Sequence, residues 1–92
     1  MKTITIYKRT ILERTGFKKW PYKEVDQFSI IYEGKERKNH DQTIDNKRLQ
    51  KPFNIILNTR KKEELKKYYN RLGWSEVDKW QKSILKEILE NE

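Results

Sequence analysis

The sequence of 92 residues predicts a single α+β domain, in which a small antiparallel sheet of about three strands packs against a C-terminal αα-hairpin. Two patterns carry this prediction. Apolar and polar residues alternate in three segments of the first two thirds of the chain, which favours half-buried strands. In the last third, apolar residues recur at helical spacing in two segments, and the short Gly-Trp-Ser turn between them favours two adjacent helices.

The three predicted strands span residues 2–8, 26–33 and 53–58. In the first, Ile4 and Ile6 share one face, and β-branched residues at a period of two favour a strand. Gly34 ends the second strand, and Pro52 precedes the third, a position that suits a strand start or an edge. Residues 10–22 are compatible either with a short helical turn or with an extension into a hairpin.

A long charged loop is predicted over residues 35–51, because only Ile44 and Leu49 are apolar there. Loops longer than about 12–15 residues are uncommon in compact domains and tend to be functional or disordered. A short helix over residues 44–50 would shorten the loop. Its candidate binding residues are Arg37, Lys38, Lys47, Arg48 and Lys51.

The first predicted helix follows from a stripe of Leu65, Tyr68, Tyr69 and Leu72 at helical spacing. Thr59 or Asn58 can cap its start. Gly73 stands where a helix often ends in a left-handed residue, which would let Trp74 fold back on the last turn. Ser75 can then cap the second helix.

Cations concentrate in one part of the chain. The formal net charge is +8, and residues 47–71 hold nine basic and two acidic side chains. Such an excess either solubilises a surface or binds phosphate or an acidic protein surface. The sequence has no cysteine, no apolar leader at its start and no run long enough for a membrane span, so we expect a cytoplasmic protein without membrane contact.

The first helix is predicted to carry the second half of a basic surface. Its cations lie opposite the apolar stripe, and those at its start oppose the helix dipole, which an interaction surface tolerates better than an idealised solvated face. The alternative is a solubilising face. The candidate binding residues here are Arg60, Lys61, Lys62, Lys66 and Lys67, with Arg71 flanking them.

Residues 16–22, GFKKWPY, combine aromatic rings with cations. A stacking platform for nucleic acid needs exposed rings flanked by cations, and this composition meets that requirement. The chain is short of apolar residues, however, and large aromatic side chains are mostly buried. We therefore expect Phe17 and Trp20 to belong to the core, and Tyr22 to be the exposed aromatic residue.

Catalytic patterns are weak. The tripeptide Glu33-Gly34-Lys35 has the E-x-K form of some metal-dependent nucleases, with Asp26 as the second carboxylate, but strand alternation places Asp26 and Glu33 on opposite faces. His40 is the single histidine and lies in a polar loop without an evident partner. The second helix is net acidic, which argues against its insertion into a DNA groove. We expect neither an enzyme nor a bound cofactor.

Two functions remain. The first is a small non-enzymatic protein that binds nucleic acid, or a complex loaded with nucleic acid, through the basic loop and helix face. The second is an inhibitor from a phage or mobile element, similar in kind to anti-CRISPR proteins, that binds an acidic surface of a host defence nuclease. The second rests on small size, absence of cysteine and a composition rich in Lys, Ile, Asn and Tyr.

Overall fold

A computed structural model of the protein describes residues 2–40 and 51–91. These residues form an antiparallel sheet of four strands in the order β3-β2-β1-β4, followed by two helices. The elements are β1 (Ile4–Arg14), β2 (Tyr22–Tyr32), β3 (Lys35–Lys38), β4 (Asn54–Thr59), α1 (Lys62–Arg71) and α2 (Glu76–Glu90). The α+β class and the C-terminal helix pair are confirmed, and the sheet has one strand more than predicted.

The β1–β2 hairpin is longer than the sequence pattern indicated. Pairing runs without interruption from Ile4 opposite Tyr32 to Arg14 opposite Tyr22, so the hairpin alternative for residues 10–22 is correct. In the outer half, Ile11 is fully buried, and polar contacts also join the strands: Lys8 Nζ lies 3.4 Å from Asp26 Oδ2, and Thr10 Oγ1 donates to Asp26 Oδ1 at 3.2 Å. Cross-strand pairs of this kind add to the stability of the hairpin where its apolar residues are few.

The predicted loop over residues 35–51 begins as a strand, so that prediction is wrong for residues 35–38. Glu33 and Gly34 both adopt positive φ, 56° and 76°, as a two-residue type I′ turn requires, and this turn pairs β3 with β2. Hydrophobic periodicity could not reveal β3, because all four of its residues are charged and exposed. The predicted helix over residues 44–50 lies outside the described residues.

Strand β4 carries an irregularity that alters its faces. Leu57 pairs with Ile6, but the register shifts before the next rung, and Ile55 pairs with Tyr7. Leu57 therefore faces the helices and packs on the core, whereas Ile55 lies on the opposite face and is exposed. Strict alternation would place Ile55 and Leu57 on the same face, and the bulge separates them.

The core lies where the helices cover one face of the sheet. Sheet residues and helix residues contribute to one buried cluster, and half-buried aromatic residues surround it. The buried cluster consists of Ile4, Ile6, Ile30, Leu65, Ile84, Leu85 and Ile88. No helix within residues 2–40 and 51–91 is long and apolar enough to cross a membrane.

Helix α1 begins without a side-chain cap at its N-cap residue, Lys61. Thr59, two residues earlier, organises the first turn instead. Its hydroxyl accepts a hydrogen bond from the Lys61 N–H at 2.9 Å and donates one to Glu64 Oε2 at 2.6 Å. The threonine predicted as a cap thus acts on the helix start from outside it.

The turn between the helices differs from the prediction at Gly73. This glycine does not adopt positive φ; its N–H donates to Asp78 Oδ2 at 2.9 Å, and an added Cβ would lie 3.1 Å from the same oxygen. A side chain at this position would therefore be in tight contact with the Asp78 carboxylate, which would have to move by a few tenths of an ångström. Ser75 caps α2 as predicted, accepting from the Asp78 N–H at 3.1 Å. Trp74 is 82% exposed, and the centre of its ring lies 4.4 Å from Lys82 Nζ on α2. It therefore does not fold back on the last turn of α1.

A buried hydrogen bond joins the two helices. Tyr68 Oη donates to Oε1 of the fully buried Gln81 at 2.6 Å. Replacement of Tyr68 by Phe leaves that acceptor without its donor, and we expect the free energy of unfolding to fall by about 1–3 kcal/mol. Urea unfolding of the wild type and the variant measures this difference.

The matched control is Tyr69→Phe, since Tyr69 is also half-buried on α1 and its hydroxyl makes no hydrogen bond within the part of the chain that the structure describes. Its expected effect is below about 0.5 kcal/mol. Equal losses in the two variants would show that the Tyr68–Gln81 bond contributes nothing.

The same tyrosine predicts a pH dependence. Burial, with a smaller contribution from the Asp78 carboxylate, raises the pKa of Tyr68 to about 12, above its unfolded value of about 10. The folded state holds this proton more tightly, so the stabilisation is complete below about pH 10 and is lost as the pH approaches 12. Tyr68→Phe lacks this loss, and urea unfolding across that range should show the two proteins converging in stability.

Candidate nucleic-acid interface

The loop half of the predicted site is largely neutralised by acidic neighbours. Arg37 Nη1 lies 3.1 Å from Glu87 Oε2 on α2, and Lys38 Nζ lies 3.6 Å from Glu36 Oε1. Lys51 Nζ lies 3.9 Å from Glu24 Oε1. Lys47 and Arg48 lie outside the described residues.

These loop cations also fail to share a surface. Arg37 and Lys38 are neighbours on β3, so their side chains leave opposite faces of the sheet. Lys38 Nζ lies 5.7 Å from the centre of the Phe53 ring, which the Arg9 guanidinium also covers at 4.1 Å. Lys51 is paired with β2 near the outer part of the hairpin. The described part of the loop therefore forms no continuous basic patch.

At the start of α1, two of the predicted binding residues are engaged within the chain. Arg60 Nε donates to Thr3 Oγ1 at 2.8 Å, and Lys61 Nζ lies 3.9 Å from Glu64 Oε1. These local contacts account for cations at a helix end where the dipole disfavours them. Their position is thus weaker evidence for a binding surface than the sequence indicated.

The outward side of α1 is different. Lys66, Lys67 and Arg71 are exposed, Lys62 is half-buried at the edge, and none of the four makes an ion pair with another described residue. We call these four residues the α1 face. The buried side of the helix, centred on Leu65, fixes its orientation, so the lysines are held away from the core. The first turn of α1 also carries Glu63 and Glu64, and Glu64 is already in contact with Lys61 and Thr59.

The tip of the β1–β2 hairpin, residues 14–23, overturns the prediction that Phe17 and Trp20 belong to the core. Phe17 is 70% exposed, Trp20 is 75% exposed, and Tyr22 is 40% exposed. The reason is geometric: the hairpin carries these rings away from the helices, in a molecule that measures 48 Å along its longest axis against 25 and 17 Å across. Isoleucine and leucine residues fill the core instead.

The hairpin tip is also basic. Arg14, Lys18, Lys19 and Lys23 form no ion pair with any residue in the described ranges, and residues 14–23 contain no acidic side chain. The sequence shows this composition, but the candidate binding residues predicted from it do not include these cations. The signal that could have identified them was the absence of acidic residues over ten positions.

The carboxylates of the nuclease hypothesis are not brought together. Asp26 is bound by Lys8 and Thr10 in the middle of the hairpin, whereas Glu33 lies at its base and is 3.1 Å from Lys2 Nζ. Strand geometry separates them by about 20 Å. The hydrogen bond from Lys2 lowers the pKa of Glu33.

His40 is half-buried, and its Nε2 lies 4.0 Å from Glu13 Oε2. Its carbonyl oxygen accepts a hydrogen bond from Gln27 Nε2 at 2.5 Å, which fixes the backbone beside β2. Within residues 2–40 and 51–91, no three His, Asp or Glu side chains are grouped so that they could hold a metal ion.

Comparison with known proteins adds no relative: no family model, no curated protein and no solved structure matches this chain.

Proposed function

We propose that this protein is a small non-enzymatic binding protein that engages nucleic acid through its phosphates. One observation carries the proposal: the α1 face and the hairpin tip together present eight cations that make no ion pair within the described ranges. Most other described cations contact a carboxylate or another polar group, as Lys8, Arg37 and Lys79 do.

Unpaired cations matter because they set the external field of the protein. An ion pair of two exposed side chains largely cancels its own field at a distance, whereas an unpaired lysine attracts anions over roughly a Debye length, about 8–10 Å at physiological salt. With a net charge of +8, the protein also attracts a polyanion from a distance. Both surfaces therefore suit a partner with regularly repeated phosphates.

Contacts to phosphates supply affinity that does not depend on the base sequence of the nucleic acid. Lysine and arginine contacts to phosphate position a protein on nucleic acid, but bases are read by other contacts. Helix α2 is not suited to contact bases in a groove of DNA, because it is acidic. Its acidic residues are Glu76, Asp78, Glu87 and Glu90. The proposal is thus for binding that depends little on sequence.

Fluorescence anisotropy of labelled DNA and RNA, single- and double-stranded, tests this proposal. If about six phosphates are neutralised, the affinity falls by roughly 10³-fold between 50 and 200 mM salt. No binding of any of these at 50 mM salt would contradict the proposal. That result would favour the acidic protein surface, the other partner predicted from the sequence.

A further inference from the structure

The outer part of the β1–β2 hairpin projects beyond the rest of the sheet. Strand β4 pairs with β1 only as far as Lys8, and β3 pairs with β2 only from Ser29 onward. Among the described residues, no further strand lies beside the six rungs beyond them, from Arg9 opposite Gln27 to Arg14 opposite Tyr22; the backbone contact there is the Lys51 N–H, which donates to the Thr10 carbonyl oxygen at 3.4 Å. Six residues of strand span about 20 Å, so the tip is carried well away from the helices.

Hydrogen bonds connect the two sides of the turn at the tip. The Thr15 N–H donates to the Pro21 carbonyl oxygen at 3.0 Å, and the Thr15 hydroxyl donates to the Trp20 carbonyl oxygen. The same hydroxyl accepts from the Phe17 N–H at 3.1 Å, and Gly16 adopts a φ of 83°, which only glycine reaches without strain. The exposed rings of Phe17 and Trp20 therefore lie on a hydrogen-bonded turn.

The rings at the tip adjoin a shallow cleft. It is lined by Phe17 and Tyr22 together with Arg14, Gly16 and Pro21. Its volume is about 290 Å³. Trp20 adds a third exposed ring to the same turn.

Aromatic rings beside unpaired cations are the two components of a site for unpaired nucleotides. Bases stack on exposed rings in a way that depends little on their identity, and cations bind the phosphates between them. Lys18 follows Phe17 in the sequence and Lys19 precedes Trp20, so the same turn carries both rings and cations. The four cations of the hairpin tip, Arg14, Lys18, Lys19 and Lys23, would contribute no affinity for an apolar protein partner.

Single strands suit the tip better than duplexes do. In a duplex the bases are already stacked and paired, and a ring can reach their faces only if base steps are opened. A single strand presents unpaired bases that need no such opening.

We propose that the hairpin tip is a base-stacking site for single-stranded nucleic acid, with Phe17, Trp20 and Tyr22 contacting bases and the neighbouring cations contacting phosphates. This inference rests on the proposed function and extends it, because it adds contacts to bases at a surface separate from the α1 face. It predicts a preference for single strands over duplexes of equal charge.

The test compares an oligothymidine with an abasic oligomer of the same length, which keeps the sugar-phosphate chain and lacks the bases. At 50 mM salt we expect the oligothymidine to bind at least tenfold more tightly than the abasic oligomer, and to quench tryptophan fluorescence. In Trp20→Phe the quenching should disappear while anisotropy still reports binding. Trp74→Phe is the matched control, since Trp74 is equally exposed but lies on the helix pair, and it should keep the quenching.

A second variant measures the affinity that the rings supply. Phe17→Ser and Trp20→Ser together leave every cation in place, and we expect at least a tenfold loss of affinity for the oligothymidine with no change for the abasic oligomer. Equal binding of the two oligomers by the wild type, without quenching, would overturn the stacking site and leave the phosphate-binding proposal standing. Binding of neither oligomer, nor of any duplex, would overturn both.

Discussion

Simultaneous replacement of Lys66, Lys67 and Arg71 by glutamine should reduce affinity for nucleic acid more than any other change on the helices. Each phosphate contact contributes about 0.7–0.9 to the slope of log affinity against log salt, so the slope should fall by about two to three. At 50 mM salt this corresponds to roughly tenfold per contact, or about 10³-fold for the three. The three side chains are exposed on α1, so the fold should be unaffected.

The matched control is the same change on α2, where Lys79, Lys82 and Lys86 are replaced by glutamine. Net charge falls by the same amount, but Lys79 and Lys86 already face Glu76 and Glu90 at 3.8 and 4.0 Å. We expect only a small loss of affinity. Equal losses from the two triple variants would show that net charge alone attracts nucleic acid and that the α1 face has no special part.

Truncation of the core should have the largest effect on stability. Leu85 is fully buried in the cluster that joins the helices to the sheet, and Leu85→Ala should lower the free energy of unfolding by about 2–5 kcal/mol. A domain of this size has a total stability of only about 5–10 kcal/mol, so the variant should be partly unfolded at moderate temperature. Thermal and urea unfolding followed by circular dichroism measure the loss.

Alanine substitutions at the hairpin tip provide the contrast. Phe17→Ala and Trp20→Ala remove larger side chains than Leu85→Ala does, yet both rings are mostly exposed, and the expected loss is below about 0.5 kcal/mol for each. Buried aromatic residues would cost about 3–5 kcal/mol instead. A loss in that range at Trp20 would contradict the exposed position of the tip.

The helices were predictable because their signal is local. The spacing of Leu65, Tyr68 and Tyr69 specifies one buried side of α1, and Ser75 specifies the start of α2 within a few residues. The ends of the hairpin were not predictable in the same way. Outside the core, cross-strand contacts such as that between Lys8 and Asp26 stabilise the two strands. These two residues are eighteen positions apart, so their contact produces no periodic pattern in the sequence.

The candidate binding residues also divide into those that could be predicted and those that could not. The outward cations of α1 follow from helical spacing, and the structure places Lys66 and Lys67 on its exposed side as expected. Composition could not reveal that Glu87 lies against Arg37, because that contact depends on the packing of α2 beside β3. Nor could it show that Phe17 and Trp20 are exposed, because burial depends on how far the hairpin projects from the core.

Chemical-shift mapping by NMR tests the central claim most directly, since it locates the bound nucleic acid on the protein. On titration of ¹⁵N-labelled protein with an oligothymidine at 50 mM salt, the proposed function and the stacking site predict shifts in residues 14–23 and on the α1 face, with α2 and β4 largely unchanged. The indole N–H signal of Trp20 should move, and that of Trp80, which packs on the core, should not. Shifts confined to α2 or β4, or none at saturating oligonucleotide, would contradict the proposal that nucleic acid binds these two basic surfaces.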